Sequence, residues 1–199
     1  PVEHRKKLVQ LAEQNDLVVV EDNTLSDLEL DQAAPPPLAA FSQDDKVITV
    51  GSMSKLFWTG LRIGWVRATP TIITRLARLK VVNDLGAGMV NQALAARWLE
   101  NYAQAKEWRK QELLPRRDQT IRLLQEHLPE WEYNRPGGGI FLWVKLAGVN
   151  AGAFAQLAMR YGVILLPGNM MSVDESYSQY IRLPFLHDHA HIQDGISRL

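Results

Sequence analysis

The chain has 199 residues, 46% hydrophobic and 22% charged, a composition typical of one sizeable globular domain or two small ones. Basic and acidic residues number 22 each, and a net charge of zero argues against nucleic-acid binding by this chain itself. There is no cysteine, which excludes disulfides, and no apolar run approaches the roughly 20 residues that span a bilayer. We therefore expect a cytoplasmic protein without a membrane partner.

The first 70 residues predict helix, strand, loop and two further strands, in that order. The strands are residues 17–22, 46–50 and 62–68, and a proline-rich loop, residues 32–45, follows the first of them. No clear helix separates the last two strands, and a parallel crossover normally needs one. We therefore expect residues 62–68 to run antiparallel to the strand before them, at one edge of an otherwise parallel sheet.

The remaining chain changes character twice. Residues 71–127 predict helices, the last long and charged, with a solvated face and a kink at Pro115. Residues 129–199 predict short strands and helices around an "RPGGG" turn, with Phe141 and Trp143 in the core. We assign residues 1–128 to a partial large domain with connecting helices and residues 129–199 to a small α+β domain. A helical pattern begins at the first residues of the chain, and another stops at its last residues. We therefore expect a piece of a longer chain, and the alternative is a chain with natural ends.

The stretch "GSMSKLFWTGLRIGW" carries the chemistry. Lys55 lies just past a predicted strand, where ligand sites of α/β sheets are found. Ser52, Ser54 and Arg62 offer hydroxyls and a guanidinium, which suit a phosphate dianion. A partly desolvated lysine near a cation can attack an aldehyde. Pyridoxal 5′-phosphate is an aldehyde on a phosphate-bearing ring, so it fits this set of residues. The alternative for Lys55 is an ordinary surface lysine.

A pyridoxal ring also needs an acid near its ring nitrogen, because a protonated ring is an electron sink. Asp22 closes the strand of residues 17–22. If that strand and the next are parallel neighbours, Asp22 and Lys55 lie at the same sheet edge. A turn or helix-cap role beside Asn23 and Thr24 is the alternative for Asp22.

Five segments resemble, in order, motifs of the class I and II aminotransferases of fold type I. They are "VVVED", the "S-x-S-K" and "G-L-R-I-G" motif, "RPGGGIFLWVKL", "GVILLPG" and "YIRLPF". The resemblance covers essentially the whole chain. It implies an α/β fold, namely the C-terminal part of the pyridoxal-phosphate-dependent large domain with a mixed, mostly parallel sheet, plus a small α+β domain. It also implies a homodimer, because the family completes its sites across a dimer interface.

The resemblance implies a role for each residue of the motifs. Lys55 would form the internal aldimine and move the proton at the substrate Cα, and Asp22 would pair with the pyridinium nitrogen. Arg182, in "YIRLPF", would bind the α-carboxylate of an amino acid. The phosphate would be held by Ser52, Ser54 and Arg62. The "HDHAH" run lacks an acid–histidine scaffold, so no metal is expected.

The sequence departs from the family at Thr24 and Leu25, where a tyrosine that bonds the ring hydroxyl is usual. The stretch around them is more like MocR-type regulators of the GntR family, which join a DNA-binding winged helix-turn-helix to an aminotransferase-like domain. We therefore favour an effector-sensing domain that binds DNA only through an N-terminal domain absent from this chain. The alternative is a free-standing aminotransferase. A module that has lost the cofactor is disfavoured because Lys55, Asp22 and Arg62 are present.

Overall fold

The computed structural model describes residues 1–43, 46–174 and 176–199. Residues 44 and 45, the end of the predicted proline-rich loop, lie outside this description. The chain forms two compact units, Pro1–Arg109 and Lys110–Leu199. The division falls inside a long helix, which was predicted to lie wholly in the first domain. The domain boundary at residue 128 stays a prediction.

The first unit is built on a three-stranded mixed sheet. Helix α1 (Val2–Gln14) precedes strand β1 (Val19–Asp22), which pairs in parallel with β2 (Val47–Ser52). Strand β3 (Gly64–Arg67) pairs antiparallel with β2, and the order is β1-β2-β3. The predicted antiparallel edge strand is confirmed. The short connection after β2 leaves no room for a crossover helix, so the chain must turn back on itself.

The two faces of this sheet differ because side chains alternate along each strand. On β1, Glu21 is 7% exposed and Val20 is 64% exposed. The buried face packs Val47 against Val9 of α1 and Leu38. Glu21 is not left unpaired in this layer, because it accepts the Leu38 N–H at 2.9 Å and a hydrogen bond from Arg5. Asp22, one residue further, therefore lies on the exposed face.

Three helices follow β3: α2 (Pro70–Asp84), α3 (Met89–Leu99) and α4 (Tyr102–His127). Thr69 caps α2 by accepting the Ile72 N–H at 3.4 Å, and proline is favourable at the first helical position after it. Helix α4 continues on both sides of Pro115, where the kink was predicted. Within the described ranges, no helix combines the length and apolarity needed to cross a bilayer.

The second unit contains the end of α4, a four-stranded antiparallel sheet and two helices, and the sheet order is β4-β5-β7-β6. The elements are β4 (Glu132–Tyr133), β5 (Phe141–Lys145), α5 (Ala151–Arg160), β6 (Leu166–Pro167), β7 (Tyr180–Pro184) and α6 (His189–Ser197). This agrees with the predicted small α+β architecture.

The core of the second unit lies on one face of its sheet. Leu142, Val144 and Ile181 are fully buried there. The interpretation of Phe141 and Trp143 as core is wrong, because the pleat directs both to the opposite face, where they are half-buried. A strand with apolar residues on both faces does not reveal from its sequence which face is inside.

Arg117 corrects the interpretation of α4 as a helix with only solvated charge. Its side chain is fully buried. Its Nε donates to Asp118 at 2.8 Å, and its Nη1 donates to the Pro136 carbonyl at 2.8 Å. A buried guanidinium requires such partners, since leaving its donors unpaired would be costly. Arg117 therefore holds the "RPGGG" turn, whose backbone reaches φ +85° at Gly139.

Candidate functional site

Lys55 lies in a single turn that follows β2. The Phe57 N–H donates to the Met53 carbonyl at 3.0 Å and closes this turn. The Met53 N–H donates to the Ile63 carbonyl at 3.0 Å and fixes the turn onto the hairpin. Lys55 is half-buried. In the part of the chain that the structure describes, its Nζ makes no hydrogen bond and no ion pair. The amine is thus positioned by the backbone and is available to a ligand.

The hairpin brings the predicted phosphate ligands to the same end of the sheet. Ser52 pairs with Gly64, and its Oγ accepts the Ser54 N–H at 3.2 Å. The Met53 N–H donates to the Ile63 carbonyl, so Ser54 and Arg62 each lie one residue from this hydrogen bond of the hairpin. A Cβ on Gly64 would lie 2.8 Å from a backbone oxygen of the opposite strand. Glycine is therefore required for this close approach.

Arg62 has an unusual backbone. It adopts φ 51° and ψ 35°, the left-handed region, which costs a non-glycine residue about 1–3 kcal/mol. Its side chain is exposed, and no described residue pairs with its guanidinium. Strain of this kind is concentrated at functional sites. An unpaired guanidinium beside two hydroxyls has the donor set for a phosphate dianion.

We expect Arg62→Ala to weaken binding of pyridoxal phosphate by about tenfold, since a hydrogen bond to a charged group is worth about 1.5 kcal/mol at an exposed position. Arg62→Lys should recover only part of the loss because it lacks the fork geometry. Equilibrium dialysis of the full-length protein measures both affinities. Arg97→Ala, which removes another exposed arginine, is the matched control. An affinity that Arg62→Ala leaves unchanged would show that Arg62 binds something else.

Asp22 lies at the same end of the sheet as Lys55. It pairs with Val50 in the parallel ladder, and the following N–H, of Asn23, donates to the Val50 carbonyl at 2.8 Å. Its Oδ1 accepts the Thr24 N–H at 2.9 Å. This backbone hydrogen bond lowers the pKa of the Asp22 carboxyl, so the group is ionised at neutral pH. The turn role left open for Asp22 is real, and a carboxylate still has acceptor capacity for a pyridinium.

Arg182 belongs to the second unit and lies on the sheet face opposite the core, together with Phe141 and Trp143. Its Cζ is 4.2 Å from the centre of the Phe141 ring, a cation–π contact. Its Nε is buried and has no hydrogen-bond partner among the described residues. Trp143, its neighbour in the ladder, stacks on Tyr180 with ring centres 5.5 Å apart. The Phe141 ring orients the Arg182 guanidinium, and the Nε donor of Arg182 is unused. Such a guanidinium is suited to binding a carboxylate.

Five of the six predicted residues therefore come together in one unit. Lys55, Ser52, Ser54 and Arg62 share one hairpin, and Asp22 ends the neighbouring strand. The sixth, Arg182, is in the other unit. At the positions where the family tyrosine was expected, Thr24 uses its N–H for the Asp22 turn and Leu25 is 36% exposed.

Sequence reasoning missed two residues that contact this set. Phe141 contacts Arg182, and its alternation with Trp143 was the only signal for it. Arg109 of α4 donates to the Lys55 carbonyl from Nε and Nη2, each at 3.3 Å. Nothing in the pattern of a charged helix indicates which backbone carbonyl one of its arginines will reach.

The model of the family "Aminotransferase class I and II" matches residues 1–199. The chain belongs to this aminotransferase family. The resemblance inferred from the five motifs is thereby confirmed. Membership is decided over the full length of the chain and not on the lysine motif alone.

Curated members of the family that resemble this chain include both kinds of protein left open by the sequence. Aromatic-amino-acid aminotransferase 1 of Thermococcus litoralis is 32% identical over 98% of this chain and 48% of its own length. The uncharacterised HTH-type transcriptional regulator YdfD of Bacillus subtilis is 30% identical over 98% of this chain and 41% of its own length. The chain spans about half the length, or less, of these relatives.

Solved structures of aminotransferases share the fold. LysN, the α-aminoadipate aminotransferase of Thermus thermophilus, superposes with a TM-score of 0.93 at 28% identity, over 100% of this chain and 53% of that one. Its structure is a complex with N-(5′-phosphopyridoxyl)-L-leucine. The multiple substrate aminotransferase of Thermococcus profundus gives 0.90 at 32% identity, over 99% and 50%. The fold predicted from the motifs is confirmed.

Proposed function

We propose that this chain is a pyridoxal-phosphate-binding, aminotransferase-like domain that binds an amino acid. The observation that carries the proposal is that the Lys55 amine and the Arg62 guanidinium, neither of which has a partner among the described residues, lie on one hairpin at one end of a sheet. An ionised Asp22 at the end of the neighbouring strand adds a hydrogen-bond acceptor for a protonated ring nitrogen. Membership of the aminotransferase family supports pyridoxal phosphate as the group that these residues hold.

The residues fit that cofactor in charge and in chemical type. The lysine amine can bond covalently to an aldehyde carbon. The guanidinium of Arg62 and the hydroxyls of Ser52 and Ser54 would bind the phosphate dianion. The Asp22 carboxylate would keep the ring nitrogen protonated through a charge-assisted hydrogen bond. When bound, pyridoxal phosphate supplies the electron sink for chemistry at the amino acid's α-carbon. Lys55 then accepts or returns the proton at that carbon, and Arg182 binds the α-carboxylate.

The proposal extends to regulation. We infer that the full-length protein is a transcriptional regulator in which this chain senses an amino-acid effector. Positions 24 and 25 hold threonine and leucine where the family usually has a tyrosine, which favours sensing of an amino acid over its rapid conversion. The similarity to YdfD supports it too. DNA would be bound by a segment outside this chain, and a cytoplasmic homodimer is the expected form. The second candidate, a free-standing aminotransferase, is favoured by the similarity to the aminotransferase of Thermococcus litoralis.

Kinetics of the full-length protein decide between the two candidates. We expect spectral changes of the bound cofactor with at least one amino acid, and turnover well below the ~10 s⁻¹ typical of enzymes. The measurement is single-turnover and steady-state kinetics over a panel of amino acids and 2-oxo acids. A kcat in the ordinary range with any natural pair would replace the sensor by the aminotransferase. Failure to bind pyridoxal phosphate at all would overturn both.

A further inference from the structure

The main-chain carbonyl of Lys55 is left unsatisfied by its own turn. Among the described residues, one backbone hydrogen bond closes the turn that carries Lys55, from the Phe57 N–H to the Met53 carbonyl. The element that follows this turn is a separate 3₁₀ turn, Thr59–Leu61. No following helical turn supplies an N–H to the Lys55 carbonyl, as it would inside a helix. A half-buried carbonyl without a partner costs free energy, so another donor is needed.

Arg109 supplies that donor from a distant part of the chain. Its Nε and Nη2 both lie 3.3 Å from the Lys55 oxygen. Two donors of one planar group converge on one acceptor, so they restrain its direction as well as its distance. The contact is partly buried, where a charge-assisted hydrogen bond is stronger than at the surface.

We propose that Arg109 is a positioning residue for Lys55, fixing the backbone of the lysine turn so that the amine meets the cofactor in one orientation. The described hydrogen bonds join Arg109 to the carbonyl of Lys55, and none of them joins it to the reacting nitrogen. Its effect therefore passes through the peptide unit to the side chain. The inference rests on the proposed function, in that Lys55 must be the residue that holds pyridoxal phosphate.

The test compares Arg109→Lys and Arg109→Gln with the unmodified full-length protein. Lysine keeps the charge but loses the two-donor fork, and glutamine keeps one neutral donor. Arg97→Ala, at an exposed arginine of α3, is the control for loss of positive charge. Three quantities are measured: the affinity for pyridoxal phosphate, the fraction of cofactor fixed to Lys55 by borohydride, and the visible circular dichroism per bound cofactor. The last reports how uniquely the bound ring is oriented.

We expect the visible circular dichroism per bound cofactor to fall at least twofold in both Arg109 variants, and the affinity to fall about tenfold, or 1.4 kcal/mol. Borohydride should still label Lys55, and Arg97→Ala should match the unmodified protein. Arg109 has a further interaction besides the Lys55 carbonyl, so far-ultraviolet circular dichroism and thermal melting accompany each variant. If Arg109→Gln does not fold, the charge-retaining Arg109→Lys decides the matter.

The outcomes separate this inference from the proposed function. If the unmodified protein fails to bind the cofactor at Lys55, the proposed function falls and the positioning role falls with it. If the unmodified protein binds it at Lys55 and a folded Arg109→Lys variant keeps the full visible signal and affinity, the positioning role alone is overturned. A loss of thermal stability with an unchanged visible signal would also overturn it, because Arg109 would then serve only the fold.

Discussion

Replacing Lys55 by alanine is expected to abolish covalent retention of pyridoxal phosphate by the full-length protein. The amine is the only part of the proposed site that can bond to the cofactor's aldehyde, so the loss should be complete and not graded. The fold should persist, because Lys55 is half-buried in a turn and its side chain has no partner in the described structure. Absorbance of the dialysed protein and mass spectrometry after borohydride treatment measure the outcome.

A surface lysine provides the control for this experiment. Lys80 is exposed on α2 and forms an ion pair with Asp84 one helical turn away. Lys80→Ala should retain the cofactor fully. A borohydride label found on another lysine in the unmodified protein, or on none, would remove Lys55 from the proposed site.

Replacing Arg182 by alanine is expected to weaken amino-acid binding by about 10- to 150-fold, the equivalent of about 1.5–3 kcal/mol for a hydrogen bond to a charged group. The reason is that the carboxylate must be held whether the protein senses the amino acid or transforms it. The affinity for pyridoxal phosphate should stay nearly unchanged. Titration of the cofactor-loaded full-length protein with amino acids, followed by absorbance, gives the amino-acid affinity, and equilibrium dialysis gives the affinity for pyridoxal phosphate.

Two further variants make the Arg182 experiment specific. Arg182→Lys should restore binding only in part, because lysine cannot offer two parallel donors to one carboxylate. Arg160→Ala removes an exposed arginine of the same unit, at the end of α5, and should have no effect. Undiminished amino-acid affinity in Arg182→Ala would mean that the guanidinium serves only its contact with Phe141.

Much of the first unit could be predicted because its signals are local. The β-branched runs before Asp22 and before Gly51 indicate strands, and the short connection to β3 dictates an antiparallel return. The expectation that the run before Asp22 is buried is wrong, since Val18 and Val20 are exposed. The same locality brings Ser52, Ser54, Lys55 and Arg62 together. Their proximity follows from one hairpin, so a sequence motif is sufficient to predict it.

The contacts that could not be predicted are those made across long sequence separations. Helical periodicity indicates that α4 has a polar face, but not that Arg117 is buried or that Arg109 reaches the Lys55 carbonyl. Strand alternation correctly grouped Phe141 with Trp143, but apolar residues on both faces of β5 left the choice of core face open. In each case the specific partner is chosen by tertiary packing, which a single sequence does not encode in its periodicity.

The hairpin between Ser52 and Gly64 also bears on the order in which the site is assembled. Its hydrogen bonds close over a short loop, and hairpins of this kind form within about 1–10 μs. The pairing of β1 with β2 must instead close over the whole proline-rich segment, and contacts of greater sequence separation form later. During folding, the lysine and the anion-binding groups should therefore acquire their arrangement before the acid at Asp22 joins them. A folding chain would hold a weak phosphate-binding loop before it holds a site able to keep a bound ring protonated.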